Sequence, residues 1–191
     1  MIVHPIRTRS SRLSLPNLGA LAGDRLASGL GRRLDDGYHY FRHVPLAGAA
    51  PIDAVVVGPG GTWSLARTEL NGRYRKRNGH WYRWNRSTES WAPWDARPVH
   101  VARLIGHRLE LFLERAALPA KVEACVLLAG NVEVAWEEDQ RPGVHVHDDL
   151  DRLAVRIARD EVLTPTQVDR IVALLDPRQP LPQLAPSTPG G

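Results

Sequence analysis

Short apolar runs and glycine turns alternate through the middle of the sequence. Residues 52–57 read IDAVVV and are nearly all β-branched and apolar, which predicts a strand buried on both faces of a sheet. The next four residues, GPGG, must turn the chain, because glycine allows positive φ and proline fixes its own φ. Residues 62–68 then return as a neighbouring strand. A single acid, Asp53, therefore stands near the start of a buried strand.

The remaining periodicity predicts helices and further strands. Apolar residues at helical spacing predict helices over residues 17–34, 99–116, 149–159 and 164–175. Runs of β-branched, aromatic and apolar residues predict strands over residues 38–45, 122–128, 132–136 and 143–146. We expect Asn17 to cap the first helix and Gly37 to follow its end, while the sequence TPTQ at Thr164 predicts a capping box for the last helix. This order of elements predicts one α/β domain with a mixed central sheet flanked by helices.

The two ends and one internal segment differ in composition from this domain. Residues 1–16 contain three arginines and no acid, and we expect them to form a flexible basic arm. Residues 177–191 are rich in proline and are expected to be disordered. The domain itself is expected to span residues 17–176. Within it, residues 87–98 are expected to form a loop.

Composition narrows the class of protein. The chain has 191 residues, 43% of them hydrophobic and 24% charged, which excludes a wholly disordered chain. No apolar run approaches the ~20 residues of a membrane helix, and the basic N-terminal segment lacks the apolar core of a signal peptide. We therefore expect a cytoplasmic protein with no membrane partner. Its one cysteine, Cys125, lies in an apolar run and is expected to be a buried, inert thiol without an internal disulfide.

Positive charge is concentrated in one segment. The net charge of the chain is +4, but residues 73–86 contain six Arg or Lys and no Asp or Glu. Subtracting the +6 of this segment from the total leaves −2 on the rest of the chain. A local excess of positive charge is typical of a surface that binds a polyanion.

The same segment reads RYRKRNGHWYRWNR and is centred on Asn78-Gly79, the signature of a type I′ hairpin turn. Counting outward from the turn predicts five cross-strand pairs: Arg77 with His80, Lys76 with Trp81, Arg75 with Tyr82, Tyr74 with Arg83, and Arg73 with Trp84. The last four of these pairs match a cation with an aromatic ring. The sequence therefore predicts a rigid basic and aromatic hairpin.

Two compatible interpretations of this hairpin follow. In the first, the hairpin binds DNA or RNA. The predicted phosphate ligands are Arg73, Arg75, Lys76, Arg77, Arg83 and Arg86. The predicted rings for stacking on unpaired bases are Trp81, Tyr82 and Trp84. In the second, the hairpin stabilises itself or contacts a protein, through cation–π contacts worth roughly 0.5–1 kcal/mol each at exposed sites.

Residues 23–72 also resemble a known family. They combine Gly23-Asp24 on the first predicted helix, an aromatic strand, the run IDAVVVGPGG, and a second apolar strand followed by Asn71-Gly72. This order resembles the nuclease-related domain known as NERD, which belongs to the restriction-endonuclease-like superfamily. The resemblance covers roughly residues 18–176 and includes the closing pattern LTPTQVDRIVALL. It implies a restriction-endonuclease-like fold.

The resemblance implies a catalytic site that this sequence does not complete. In the family, an Asp on the first strand and a Glu-x-Lys on the second hold Mg²⁺ and position the nucleophile, because alternate residues of a strand share one face. Asp53 matches the family Asp, and Asp24 matches an acid on the first helix. Ala66 and Thr68 stand at the Glu and Lys positions, and Val101 stands at a glutamine position. A methyl group binds no metal and a hydroxyl carries no positive charge, so we expect neither catalysis nor a cofactor.

The leading hypothesis is a non-catalytic, nuclease-like domain that binds nucleic acid, most readily DNA, through the hairpin and the basic arm. A one-residue register shift near Gly61 would instead bring Glu69 towards Asp53 and leave a residual nuclease that holds Mg²⁺ between these acids. A third hypothesis is a protein-interaction module or homo-oligomer subunit that uses Trp91 and Trp94 as its contact surface.

One short stretch raises the separate question of a metal. His145 and His147 alternate along a predicted strand and are followed by Asp148 and Asp149. Two imidazoles on one face are the start of a zinc site, but no cysteine or further histidine stands nearby. The alternative is a set of polar residues at a strand end, with no metal.

Overall fold

The computed structural model describes residues 1–4, 25–46, 51–136, 144–147 and 149–176. Within these ranges the strands are β1 (Ile2–His4), β2 (His39–Val44), β3 (Ile52–Gly58), β4 (Gly61–Glu69), β5 (Gly72–Arg77), β6 (His80–Asn85), β7 (Ser90–Pro93), β8 (Val122–Ala129), β9 (Val132–Trp136) and β10 (Val144–His147). The helices in the same ranges are α1 (Arg25–Gly31), α2 (Arg97–Arg115), α3 (Leu150–Ile157) and α4 (Pro165–Leu175). None of these helices is long and apolar enough to cross a membrane.

Six of the described strands form a mixed sheet in the order β1-β2-β3-β4-β8-β10. Strand β3 runs antiparallel to β2 and β4, while β8 runs parallel to β4 and β10. Every residue of β3 except Asp53 is buried, as expected for an apolar strand covered on both faces. The mixed central sheet predicted from the sequence is confirmed.

The GPGG turn joins β3 to β4 in a tight hairpin. Gly58 pairs with Gly61, which leaves Pro59 and Gly60 as the two residues of the turn. Gly61 has a φ of +103°, and a Cβ on Gly60 would overlap the carbonyl oxygen of Ile157. Glycine is therefore needed at one position for its conformation and at the other for close packing against the end of α3.

Helices cover both faces of this sheet, as the sequence predicts. On one face α1 and α3 pack against the sheet, with Leu30 and Leu153 fully buried. On the other face α2 and α4 pack, with Leu113 and Ile171 fully buried. The predicted capping box at Thr164 opens α4. These buried side chains on both faces form the core that fixes the sheet.

The other four described strands form a second sheet, which the sequence does not predict, in the order β7-β6-β5-β9. Two strands of the first sheet lead into it, because β4 continues into β5 and β8 into β9, and both pairs are parallel. Between them the Leu70 N–H donates to the Ala129 carbonyl at 2.9 Å and the Gly72 N–H donates to the Asn131 carbonyl at 3.0 Å. Gly72 and Gly130 bend the two strands with φ of +114° and +96°. We call this crossing, residues 70–72 and 129–131, the corner.

Three predictions of local structure differ from the fold. Residues 2–4 form β1, which pairs with the edge of β2, where the sequence predicts a flexible basic arm. Residues 90–93 form β7 where the sequence predicts a loop, because β6 provides an edge for them to pair with. Helix α1 ends at Gly31, before the predicted end near Gly37, and the chain then turns with the Gly37 N–H bound to the Asp35 carboxylate.

Several predictions lie outside the described residues. These are the rest of the basic arm (5–16), the start of the first predicted helix with its cap Asn17 and with Asp24, and the segment 177–191. The remaining predicted strands and helices are found within a few residues of their predicted bounds.

Candidate functional site

Asp53, at the metal-binding position implied by the family resemblance, is hydrogen-bonded to the backbone. The β3–β4 ladder begins at the pair Ala54–Leu65. Continued by one residue, its register puts Ala66 across from Asp53, with Thr68 on the same face. The Asp53 Oδ2 accepts a hydrogen bond from the Arg67 N–H at 3.0 Å. The carboxylate therefore satisfies a backbone amide near the end of the β3–β4 ladder, while the methyl and hydroxyl groups beside it supply neither a metal ligand nor a positive charge.

Glu69 lies on the other face of β4. The β3–β4 register is continuous along the whole ladder, so the one-residue shift that would bring Glu69 towards Asp53 is absent. The Glu69 carboxylate instead accepts from Arg67 Nη2 at 3.3 Å. The residual nuclease hypothesis therefore lacks the geometry it requires. Among the described residues, no three or more His, Cys, Asp or Glu side chains are placed to hold a metal ion together.

Val101 and Cys125, which the sequence analysis also singled out, differ in their exposure to solvent. Val101, at the family's glutamine position, lies on α2 with 43% of its surface exposed. Cys125 is fully buried in β8, and burial raises the pKa of its thiol. The predicted burial of Cys125 is confirmed. A neutral, inaccessible thiol is a poor nucleophile.

The basic hairpin has the predicted register. Strands β5 and β6 pair Tyr74 with Arg83, Arg75 with Tyr82, Lys76 with Trp81, and Arg77 with His80. Asn78 and Gly79 have φ of +51° and +79°, which is the positive-φ pair that a type I′ turn requires. The two turn residues therefore determine which side chains share each face.

One face of this sheet carries arginines stacked on aromatic rings. By alternation its members are Arg73, Arg75, Arg77, Tyr82, Trp84 and Trp91, and we call it the arginine face. The Arg73 guanidinium lies 5.6 Å from the Trp84 ring centroid. The Arg75 guanidinium lies 5.8 Å from the Tyr82 centroid and 4.6 Å from that of Trp91. These contacts hold the guanidinium groups in place on the sheet.

Trp91 is a site residue that the pairing count from the turn missed. It lies on β7, directly across from Trp84, and the two rings meet edge to face with centroids 5.3 Å apart. Trp91 and Tyr82 flank Arg75, and its Nε is buried with no hydrogen-bond partner among the residues that the structure describes. The Trp91 ring is thus a part of the sheet and not an exposed loop contact.

The opposite face of the second sheet packs on the body of the protein. Tyr74 is 3% exposed, and the Trp94 ring lies 4.7 Å from it. Trp81 packs in an apolar cluster with Val126 and meets Trp94 edge-on. The alternation of the strand places the half-buried Trp81 ring on the face opposite Tyr82, and its stacking on bases stays a prediction. Lys76 alternates onto the same face as Tyr74 and is half-buried.

Charge on the arginine face is almost all positive. Glu133 of the neighbouring strand β9 pairs with Arg73, with Nε and Oε2 3.2 Å apart. Both side chains are mostly exposed, so this pair contributes little to stability and leaves Arg73 able to exchange partners. Residues 73–86 themselves contain no acid.

No family model matches this chain, and no curated protein or solved structure matches it either. The resemblance to the nuclease-related domain therefore stays a prediction that rests on the order of motifs in residues 23–72 and on the closing pattern LTPTQVDRIVALL. The function must be argued from the geometry of the chain itself.

An open groove of about 650 Å³ lies at the end of the second sheet nearest the corner. Its polar and aromatic lining consists of Asn71, Arg73, Arg83, Trp84, Asn85, Arg86 and Trp94. The Arg83 guanidinium lies 5.9 Å from the centroid of the buried Tyr74 ring, and Arg86 is exposed in the β6–β7 turn. We call this feature the end groove. Three of these polar and aromatic residues, Asn71, Asn85 and Trp94, are absent from the site predicted by the sequence.

Of the two histidines of β10, His145 contacts an acid. The His145 Nε2 lies 3.0 Å from Glu123 Oε2, and Lys121 Nζ lies 2.9 Å from Glu123 Oε1. Burial raises the pKa of the Glu123 carboxyl, but the bonds from Lys121 and His145 outweigh burial, so its pKa lies below the ordinary value. The His147 ring lies 6.4 Å from the ring of His145. These contacts favour an ion-pair network over the start of a zinc site.

Proposed function

We propose that this chain binds nucleic acid through the arginine face and does not cleave it. The observation that carries the proposal is the alignment of Arg73, Arg75 and Arg77 on one side of β5, with Arg73 and Arg77 exposed and Arg75 half-buried. Three alternate residues span about 13 Å at ~3.3 Å per residue. A DNA strand carries one phosphate per ~3.4 Å, so the row corresponds to about four phosphates.

The stacked rings strengthen this proposal. A guanidinium group on an aromatic ring keeps the N–H groups at its edge, where they can donate to phosphate oxygens. Stacking therefore fixes Arg73 and Arg75 on the sheet. The Arg73 Nε pairs with Glu133 and the Arg75 Nε is buried, so the donors proposed to meet phosphate are the Nη groups of both arginines. The same cation–π contacts therefore serve both interpretations of the hairpin, because they stabilise it and also orient its arginines towards a nucleic acid.

Absence of cleavage is the second part of the proposal. It is supported by Ala66 and Thr68, which lie beside Asp53 where the family places Glu and Lys. It is also supported by the hydrogen bond that Asp53 makes to the Arg67 N–H. We expect no nicking of supercoiled DNA with Mg²⁺ or Mn²⁺. Metal-dependent nicking that is lost in Asp53→Ala would overturn this part.

Fluorescence anisotropy with labelled DNA tests the binding itself. With about three phosphate contacts, affinity is expected to fall roughly 20- to 40-fold between ~50 and ~200 mM salt. The triple variant Arg73→Gln, Arg75→Gln, Arg77→Gln is expected to lose most of the binding. The matched control replaces three exposed arginines on α2 and α4, namely Arg103, Arg108 and Arg170, with Gln.

The control removes the same charge from a different surface. Equal losses in both triple variants would mean that net charge, and not the arginine face, drives binding. No binding by the wild-type chain even at low salt would overturn the proposed function. Thermal melting of both variants shows that each is folded when its binding is measured.

A further inference from the structure

The end groove differs from the arginine face in shape and in chemistry. The arginine face is a row of cations on a sheet, whereas the end groove is a concavity with arginines and indoles around it. Arg73, Arg83 and Arg86 contribute positive charge to its lining, and the described part of the chain adds no Asp or Glu to that lining. An anionic ligand with an aromatic part fits such a lining.

The size of the groove matches a small molecule or a single residue of a polymer. Its volume of about 650 Å³ lies within the ~300–1,000 Å³ of typical ligand pockets. Trp84 and Trp94 are half-buried, so each ring is held by the protein on one side. Trp94 is fixed by Tyr74 and Trp84 by Trp91. Rings held in this way provide rigid surfaces on which a base can stack.

Asn85 provides a polar group beside these rings. Its Oδ1 accepts the Ser87 N–H at 2.9 Å, which orients the side-chain amide. The amide NH₂ group then remains as the donor that a ligand in the groove would meet. A base edge offers acceptors for such a donor, whereas a simple phosphate would need only the arginines.

We infer that the end groove binds one unpaired nucleotide, and that the chain therefore prefers single-stranded to double-stranded nucleic acid. This inference rests on the proposed function. The base lies against Trp84 or Trp94, with Asn85 at its edge, and the adjacent phosphates meet Arg83 and Arg86. A base inside a duplex is covered on both sides by its neighbours and cannot enter the groove without leaving the stack.

The test measures one ratio, the affinity for a single-stranded 12-mer divided by that for a blunt duplex of the same sequence, by anisotropy. Stacking of one base is expected to make this ratio at least about fivefold in favour of the single strand. The double variant Arg83→Gln, Arg86→Gln is expected to lower the ratio towards one. The matched double variant Arg75→Gln, Arg77→Gln is expected to weaken both ligands and leave the ratio unchanged, because these residues do not line the groove.

A charge-neutral change separates stacking from electrostatics. Trp94→Leu keeps every charge and is also expected to lower the ratio. If thermal melting shows that Trp94→Leu does not fold, the comparison of the two arginine double variants tests the inference without it. Equal affinity of the wild-type chain for both ligands would overturn the inference and leave the proposed function intact. No affinity for either ligand at low salt would overturn the proposed function itself.

Discussion

Asp53 is the exposed acid of an otherwise buried strand, and its hydrogen bond explains its presence. Near the end of the β3–β4 ladder the Arg67 N–H is bound to the Asp53 side chain. A carboxylate at this position accepts the Arg67 N–H whether or not a metal was ever bound there. The hydrogen bond within the β3–β4 hairpin is thus sufficient to explain why Asp53 stands at this position.

The Asp53 hydrogen bond has a measurable contribution to stability. Asp53→Ala is expected to lower the free energy of unfolding by about 1 kcal/mol, because it leaves the Arg67 N–H without this acceptor. Asp53→Asn is expected to cost less, since its side-chain oxygen still accepts. Urea denaturation of the three proteins measures these differences. A cost for Asn as large as that for Ala would mean that charge, and not the hydrogen bond, is what Asp53 provides.

Glu123 gives the molecule a pH dependence of defined sign. Its folded pKa lies below the ordinary value of 4.5, so the unfolded chain binds the proton first as the pH falls. The stabilising contribution is therefore present above pH 4.5 and is lost as the pH falls through the folded pKa. Glu123→Gln is expected to be less stable by about 0.5–1 kcal/mol at neutral pH, a small value because the group is partly screened by solvent. Urea titrations should show this gap closing as the pH falls below 4.5 and through the folded pKa.

At the scale of elements, the sequence predicts those whose signals are local. The Asn78-Gly79 turn specifies the pairing of β5 with β6 because both turn residues must have positive φ. The run of β-branched residues from Ile52 specifies β3 for the same local reason. Strand β7 gives no such signal, since SWAP is short, carries a proline, and becomes a strand only by pairing with β6. The predicted site therefore contained Tyr82 and Trp84 but not Trp91.

The turn of the basic hairpin can be tested by adding one methyl group. Gly79 has a φ of +79°, so Gly79→Ala is expected to destabilise the hairpin by about 1–2 kcal/mol. The matched control is Gly31→Ala in α1, where the added Cβ would contact only the Met1 Cε at 3.6 Å. That change is expected to be neutral or slightly stabilising, because alanine is the better helix former. Thermal melting compares the two variants, and equal losses would contradict the assigned turn.

At the scale of the whole molecule, the second sheet is the feature that the sequence did not reveal. Strand β9 pairs with β5 although the corner residues Asn71 and Asn131, which bond to each other, are 60 positions apart. No local pattern in residues 132–136 distinguishes a strand of the central sheet from one of a second sheet. The shape of the arginine face and of the end groove depends on this long-range pairing.

The corner has two glycines whose roles can be separated. Both Gly72 and Gly130 have positive φ. A Cβ at Gly72 would meet no atom of the described residues within 4 Å, whereas one at Gly130 would lie 2.5 Å from the Leu70 carbonyl oxygen. Gly72→Ala is therefore expected to cost about 1–2 kcal/mol from backbone conformation alone. Gly130→Ala is expected to cost at least about 1 kcal/mol more, because the strands must also separate. Urea unfolding followed by tryptophan fluorescence measures both, and equal costs would mean that the corner is not tightly packed.

The corner also has a consequence for synthesis of the chain. The β5–β6 hairpin is local and can close within about 1–10 μs, but β9 follows only after α2 and β8 have been made. Until then the β5 edge that will pair with β9 lacks this partner, and an unpaired strand edge is a template for aggregation. Charged side chains along such an edge discourage pairing with another chain. The arginines of β5 are therefore expected to discourage pairing of this edge with another chain before β9 is made.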